Sequence, residues 1–273
     1  MSNSINSINL KDEETISYRE VLLSDNPIVR SININQIDGS FVTTEPLNEY
    51  GKIVIYPQSP NNPKYSIESY SQLTGYGKLS LPTDARFNYT NGTIWVADTG
   101  NSNVIRINMA DYSVSKAIED IILPHSVIPD VNRGGVFIKA FSDINTGILY
   151  YYNSGGNLVD TFTYPCELGR LSVDVEESED FINALPLSSS MAYDHVLSRL
   201  WWVSGSYVYM LDVKNKQVVE NDLSTDYIEN RSVDIDFSSG NAFVVAKDSS
   251  NYWNVVQIFR DNNLVFCNAY MVD

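Results

Sequence analysis

The chain has 273 residues, 43% of them hydrophobic and 12% aromatic, with 18 tyrosines, which is ample material for one sizeable core. Its 18 basic and 34 acidic side chains leave a net charge of −16, a field that repels phosphate backbones and anionic lipid surfaces and argues against both as partners. Two cysteines, Cys166 and Cys267, are too few for a disulfide framework, and neither has a histidine nearby in sequence, so buried free thiols are expected.

Residues 1–16 open the chain with small polar residues interleaved with Ile5, Ile8 and Leu10. They lack the basic and apolar regions of a secretory signal. The expectation is a flexible N-terminal arm that orders only against a partner or a second subunit, followed by a single domain over 17–273. No apolar run approaches the length of a membrane span, so the expected location is a virion or the cytoplasm.

From there on helical periodicity is nearly absent. Short β-forming runs recur instead: Ile53–Tyr56, Thr93–Ala97, Val104–Asn108, Gly147–Tyr152, Trp201–Val203, Tyr207–Val213, Ala242–Ala246 and Asn254–Phe259. Turn residues separate them, as at Asn91-Gly92, Ser154 to Asn157 and Ser239-Gly240, the pattern of strands joined by hairpins. Tyr18–Ser24 reads as a candidate extra strand.

The strands repeat. Ala85–Val114 aligns with Ala192–Val218, each with a Trp ten residues after the alanine, then Val and a small residue. Three looser copies give five anchors, Phe41, Trp95, Tyr150, Trp202 and Val244, spaced 54, 55, 52 and 42 residues. A four-stranded unit repeated at that period is a propeller blade. The expected fold is all-β, a β-propeller of about five four-stranded blades, with six as the alternative count and a β-sandwich as the alternative architecture. Asn263–Tyr270 resembles Asn157–Tyr164, so the last blade is expected to supply its own fourth strand.

One stretch carries a family pattern: Gly75, Gly77, Pro82, Ala85, Asn91-Gly92, then Ile94-Trp95-Val96-Ala97-Asp98-Thr99-Gly100-Asn101. Over Gly75–Ile107 it resembles the NHL repeat. The resemblance implies a propeller, usually six-bladed, that presents loops for protein or RNA binding, with lactonases and lyases among its relatives. In physical terms, Ala85 suits a crowded inner strand, Trp95 fills space between blades, and Asp98–Asn101 forms a tight turn. There Asp98 caps backbone N–H groups and Gly100 is free to take positive φ.

Chemistry is sparse. His125 and His195 are the only histidines, which excludes a histidine-rich metal site, and no nucleophile elbow, P-loop or dinucleotide motif occurs. The catalytic candidates are Asp194, Asp236 and His195, with Asp194 and Asp236 at one repeat position, eight residues before their anchors. Asp234 lies beside them and Asp84 is a further nearby carboxylate. With Asp194 and Asp236, Asp234 completes the candidate set for a cation such as Ca²⁺ or for acid–base work in a channel. The competing reading is that each Asp caps the hairpin after its strand. The acidic run Asp174–Asp180 reads as a solvated loop or a Ca²⁺ loop. Trp201-Trp202 and Tyr150–Tyr152 offer either inter-blade core or a stacking surface for sugars. These features favour a non-enzymatic interaction or structural module that binds other proteins, such as a bacteriophage tail or capsid-associated component. The alternative is a carbohydrate-binding, or carbohydrate- or lactone-hydrolysing, propeller.

Overall fold

The computed structural model describes residues 4–9, 17–22, 29, 31–35, 37–45, 51–56, 65–67, 78–143, 146–165, 191–236, 238–258 and 267–271. The chain begins with a two-stranded hairpin, β1 (Ser4–Asn9) against β2 (Ser17–Leu22). Five sheets of four consecutive antiparallel strands follow. Blade 1 holds β3 (Ser31–Ile34), β4 (Phe41–Glu45), β5 (Lys52–Tyr56) and β6 (Tyr65–Ile67). Blade 2 holds β7 (Pro82–Asn88), β8 (Thr93–Asp98), β9 (Asn103–Asn108) and β10 (Val114–Ile118). Blade 3 holds β11 (Ser126–Asp130), β12 (Gly135–Asp143), β13 (Thr146–Tyr152) and β14 (Leu158–Pro165). Blade 4 holds β15 (Met191–Asp194), β16 (Arg199–Ser204), β17 (Tyr207–Asp212) and β18 (Gln217–Asp222). Blade 5 holds β19 (Tyr227–Asp236), β20 (Asn241–Asp248), β21 (Trp253–Ile258) and β22 (Cys267–Met271). The first strands of blades 1 to 5 lie side by side in that order and line one cavity. This is a five-bladed β-propeller, and β22 completes the last blade from its own sequence.

A hairpin motif repeats in every blade. The residue that ends the first strand, or in blade 1 directly follows it, is Asn35, Asn88, Asp130, Asp194 or Asp236, paired across a four-residue loop with Ser40, Thr93, Gly135, Arg199 or Asn241. In each, the side-chain oxygen accepts the N–H two residues on, from Ile37, Thr90, Asn132, Val196 and Ser238. The fourth loop residue has positive φ in all five: Gly39 at 71°, Gly92 at 66°, Gly134 at 73°, Ser198 at 56° and Gly240 at 72°. An Asx side chain closes the turn, and glycine takes the left-handed position at no steric cost.

This register corrects the expected anchors. Counting from the hairpin, Trp95 corresponds to Val42, Phe137, Trp201 and Phe243. Trp95 packs on Val127, Val136 and Ile138 of blade 3, and Trp201 packs on Val233, Ile235 and Val244 of blade 5, so both face the next blade. Trp202 faces the preceding blade with Phe137, Tyr151 and Tyr164. A slip of one residue turns a side chain to the other face of its sheet, and Phe41, Trp202 and Val244 are each one residue off. Tyr150 lies on β13, a third strand. Residues 166–190 lengthen the interval between β14 and β15, and an even spacing therefore set this anchor one strand late.

Within the stretch expected as an arm, Ser4–Asn9 is a strand and pairs with Ser17–Leu22. The pairing satisfies backbone groups that a polar tail leaves to water. Gly100 does not take positive φ; Ser102 does, at 56°. Gly100 is instead required by close approach, because a Cβ there would stand 2.3 Å from the Ser80 hydroxyl. The Gly100 N–H donates to the Ser80 carbonyl at 2.8 Å. Buried Asp98 accepts the Ser80 N–H at 2.6 Å.

Candidate functional site: the mouth of the central channel

The five first strands run to their hairpins at one end of the channel. Two residues before each Asx cap stand Asn33, Arg86, Ile128, Ala192 and Asp234, and all five line a cavity of about 120 Å³. Sequence neighbours of the caps, Tyr89, Val131 and His195, border the same cavity. The ring is divided: blades 5, 1 and 2 present Asp234, Asn33 and Arg86, whereas blades 3 and 4 present Ile128 and Ala192.

Each polar member is fixed by its neighbours. The Arg86 Nε donates to both oxygens of Asp84, at 3.1 and 3.3 Å. Asp84 is buried and also accepts the Ser126 hydroxyl at 2.8 Å and the Val127 N–H at 3.0 Å from blade 3. The guanidinium is held by its Nε side, and its two Nη groups have no partner among the described residues. The Asn33 Oδ1 accepts the Phe87 N–H at 3.0 Å, and the Ser31 hydroxyl accepts the Ala85 N–H at 3.3 Å, tying blade 1 to blade 2. Asp234 is exposed, and one of its oxygens accepts the Ile235 N–H at 2.9 Å.

Behind the ring, at the seam of blades 3 and 4, the buried Asp130 carboxylate gathers three side chains. It accepts from Tyr151 at 3.1 Å, Tyr193 at 3.2 Å and the Arg133 Nε at 2.6 Å. Burial, reinforced by the Asp130 charge, pushes both Tyr151 and Tyr193 up to about 12, so both hydroxyls remain donors throughout the neutral range. The Arg133 guanidinium lies 4.7 Å over the Tyr151 ring. Buried Lys139 spans the same seam and donates to the Val203 carbonyl at 2.6 Å.

Two of the carboxylates singled out from sequence, Asp194 and Asp236, are turn caps. Asp194 is 1% exposed and accepts the N–H groups of Val196 and Leu197, each at 2.9 Å. Asp236 accepts the hydroxyls of Ser238 at 2.7 Å and Ser239 at 2.6 Å, and these bonds hold it down at about 2. A carboxyl so far below neutrality is a poor proton donor. Asp234 alone of the three borders the cavity, which His195 also lines. No three Asp, Glu, His or Cys side chains gather as a metal site among the described residues, and the run Asp174–Asp180 lies outside them. Trp201 and Trp202 are fully buried, so neither offers a face to a sugar. Tyr150 and Tyr152 are half-buried on one face of β13 with rings 6.2 Å apart, while Tyr151 is buried on the other.

Sequence reasoning missed Asn35, Asn88 and Asp130 as equivalents of Asp194 and Asp236, and with them the Asn33–Arg86–Asp234 ring. The signal was present: an Asx four residues before a glycine in four blades, and before Ser198 in the fifth.

No protein-family model and no curated protein sequence matches the chain. Solved structures match in fold. A Kuenenia stuttgartiensis hydrazine synthase chain aligns over 87% of this chain and 64% of its own length, with a TM-score of 0.62 and 12% identity. A chain of a nidogen/laminin complex aligns over 94% and 87%, with a TM-score of 0.60 and 13% identity. The Myceliophteria thermophila Cps50 (Swd1) β-propeller domain aligns over 90% and 71%, with a TM-score of 0.55 and 10% identity. The chain thus spans less than two thirds of the hydrazine synthase chain, and at these identities the likeness shows the fold alone.

Proposed function

We propose that this propeller is a non-enzymatic interaction module that binds other proteins in a larger assembly, such as a bacteriophage tail or capsid-associated complex. The observation that carries this reading is an apolar strip on blade 1. Ile32, Ile34 and Ile37 are 39%, 52% and 67% exposed within six residues of sequence, and Ile34 borders the channel cavity. Single exposed apolar residues are ordinary, but three so close in sequence, one of them on a concave rim, favour a protein contact. The acidic, tyrosine-rich composition supports an assembly component, and the engagement of Asp194 and Asp236 in turns argues against their use in hydrolysis. The test is the double substitution Ile34→Asp and Ile37→Asp in the full chain. It should leave the melting temperature nearly unchanged and abolish co-purification with particle proteins from the native source. Retained co-purification overturns the reading.

One observation favours a second reading, carbohydrate binding. A cavity of about 200 Å³ between blades 3 and 4 is lined by Pro165, half-buried Tyr207 and exposed Glu220, an aromatic ring beside a carboxylate that suits a sugar. A glycan array with wild type and Tyr207→Ala decides it: binding by the wild type that the variant loses supports the reading.

A further inference from the structure

The channel ring carries one positive and one negative group that do not neutralise each other. Arg86 of blade 2 and Asp234 of blade 5 both line the cavity, with Asn33 of blade 1 between them. Arg86 is paired only with Asp84, through Nε, and no ion pair joins it to Asp234. The Nη edge of the guanidinium is therefore available for a planar, bidentate anion. Its side chain is only 20% exposed and is held by a carboxylate 2% exposed, so it is pre-positioned rather than floppy. Across the cavity an exposed carboxylate stands ready for a cation. Ile128 and Ala192 supply an apolar wall on the remaining arc. In a protein of net charge −16, a dianion such as phosphate meets repulsion from Asp84 and Asp234, whereas a ligand of zero net charge does not.

We infer that the channel mouth binds a small zwitterion, an ammonium carboxylate whose carboxylate docks on the Arg86 Nη edge and whose ammonium docks on Asp234. Asn33 stands between the two charges, and the hydrocarbon of the ligand lies toward Ile128 and Ala192. The distance between the charges of the ligand must match the span of the ring, which makes chain length the selective variable. Ile34 of the isoleucine strip borders the same cavity, but the contacts proposed here are made by Arg86 and Asp234 and do not depend on the role proposed for the strip.

The experiment is isothermal titration of the full chain at neutral pH with glycine, β-alanine, γ-aminobutyrate and ε-aminocaproate, against the matching carboxylates and amines. One member of the series should bind at least about tenfold more tightly than either of its halves, the effect expected of one charge-assisted contact. Asp234→Asn, at an exposed position, should erase the preference for the zwitterion over the plain carboxylate, with the plain carboxylate bound as tightly as by the wild type or more tightly, because one repelling charge is gone. Arg86→Gln should weaken both ligands by at least about tenfold; should that variant fail to fold, the Asp234→Asn comparison stands by itself. A series in which no zwitterion outbinds its halves overturns the inference, as does an Asp234→Asn protein that keeps the preference.

Discussion

The seam between blades 1 and 2 and the seam between blades 3 and 4 occupy equivalent places in the ring and are built from different chemistry. The first is mainly aliphatic: Val42, Ile53 and Ile55 meet Ala85, Ile94, Val96 and Ile105, with Phe87 the buried aromatic ring and Tyr112 packed at its edge. Its polar links are neutral, Ser31 and Asn33 accepting backbone N–H groups of β7. The second is aromatic and charged. Phe137, Tyr151 and Tyr164 meet Tyr193, Trp202 and Tyr209, and the Asp130 and Lys139 charges are bonded across it. The contrast shows that the Asx-closed hairpin and the backbone register carry the repeat. Side chains then fill each wedge between blades in whatever chemistry reaches across it. The aliphatic seam depends on buried area alone, whereas the aromatic seam adds groups whose protonation must be preserved.

The largest expected difference follows from volume. Trp202 is fully buried, stacks on Tyr209 at 5.2 Å and 14°, and meets Tyr164 at 5.4 Å. Trp202→Ala should cost about 3–5 kcal/mol, and Ile105→Val in the aliphatic seam about 0.5–1.5 kcal/mol. Urea denaturation of both variants measures this, and equal costs would mean that the two seams share load evenly.

A second effect separates the seams by pH. Tyr151 and Tyr193 are raised from 10.0 to about 12, chiefly by burial and then by Asp130. A raised folded value means that the native state holds the proton more tightly. Its stabilisation is therefore complete below pH 10 and lost as pH climbs toward about 12. The loss should be on the order of 2 kcal/mol per tyrosine, and Tyr193→Phe should remove its share of the alkaline slope. A slope unchanged in that variant would place the alkaline sensitivity elsewhere.

Much of this architecture was legible in the residues. Turn signals and strand runs gave an all-β propeller with five repeats, and the similarity of Asn263–Tyr270 to Asn157–Tyr164 placed β22 as a fourth strand. The phase of the repeat was not legible from the tryptophans, because Trp201 and Trp202 are adjacent and both are buried, one on each face of β16. Only the hairpin register distinguishes them. The candidate site was half legible. Asp194 and Asp236 share a repeat position as expected, but that position closes a turn. The channel ring lies two residues earlier, and its members Asn33, Arg86 and Asp234 have no common residue type to betray them.

Smaller effects test the hairpin motif itself. Gly92 has φ of 66° and a Cβ there would meet nothing within 4 Å. Gly92→Ala therefore isolates the conformational term and should cost about 1 kcal/mol by denaturant midpoint. A neutral result would mean that the loop relaxes out of the left-handed conformation.

The smallest expected change discriminates a turn cap from a charge. In blades 1 and 2 the cap is Asn35 or Asn88, so an amide oxygen suffices for the turn. Asp194 uses one oxygen for the N–H groups of Val196 and Leu197, and its other oxygen is buried without a hydrogen-bond partner among the described residues. Asp194→Asn keeps the acceptor and removes a poorly compensated buried charge, so stability should change by less than about 0.5 kcal/mol. Asp194→Ala strips the acceptor from the N–H groups of exposed Val196 and half-buried Leu197, which water can partly satisfy, and should cost about 1 kcal/mol. Asp130→Asn is the counter-case, because its charge is bonded to Arg133 and two tyrosines, and it should cost more than Asp194→Asn. Chemical denaturation of the three variants gives the order directly. If Asp194→Asn proved as damaging as Asp194→Ala, the charge rather than the cap would be the required feature, and a cation at that position would have to be sought by titrating Ca²⁺ against the melting temperature.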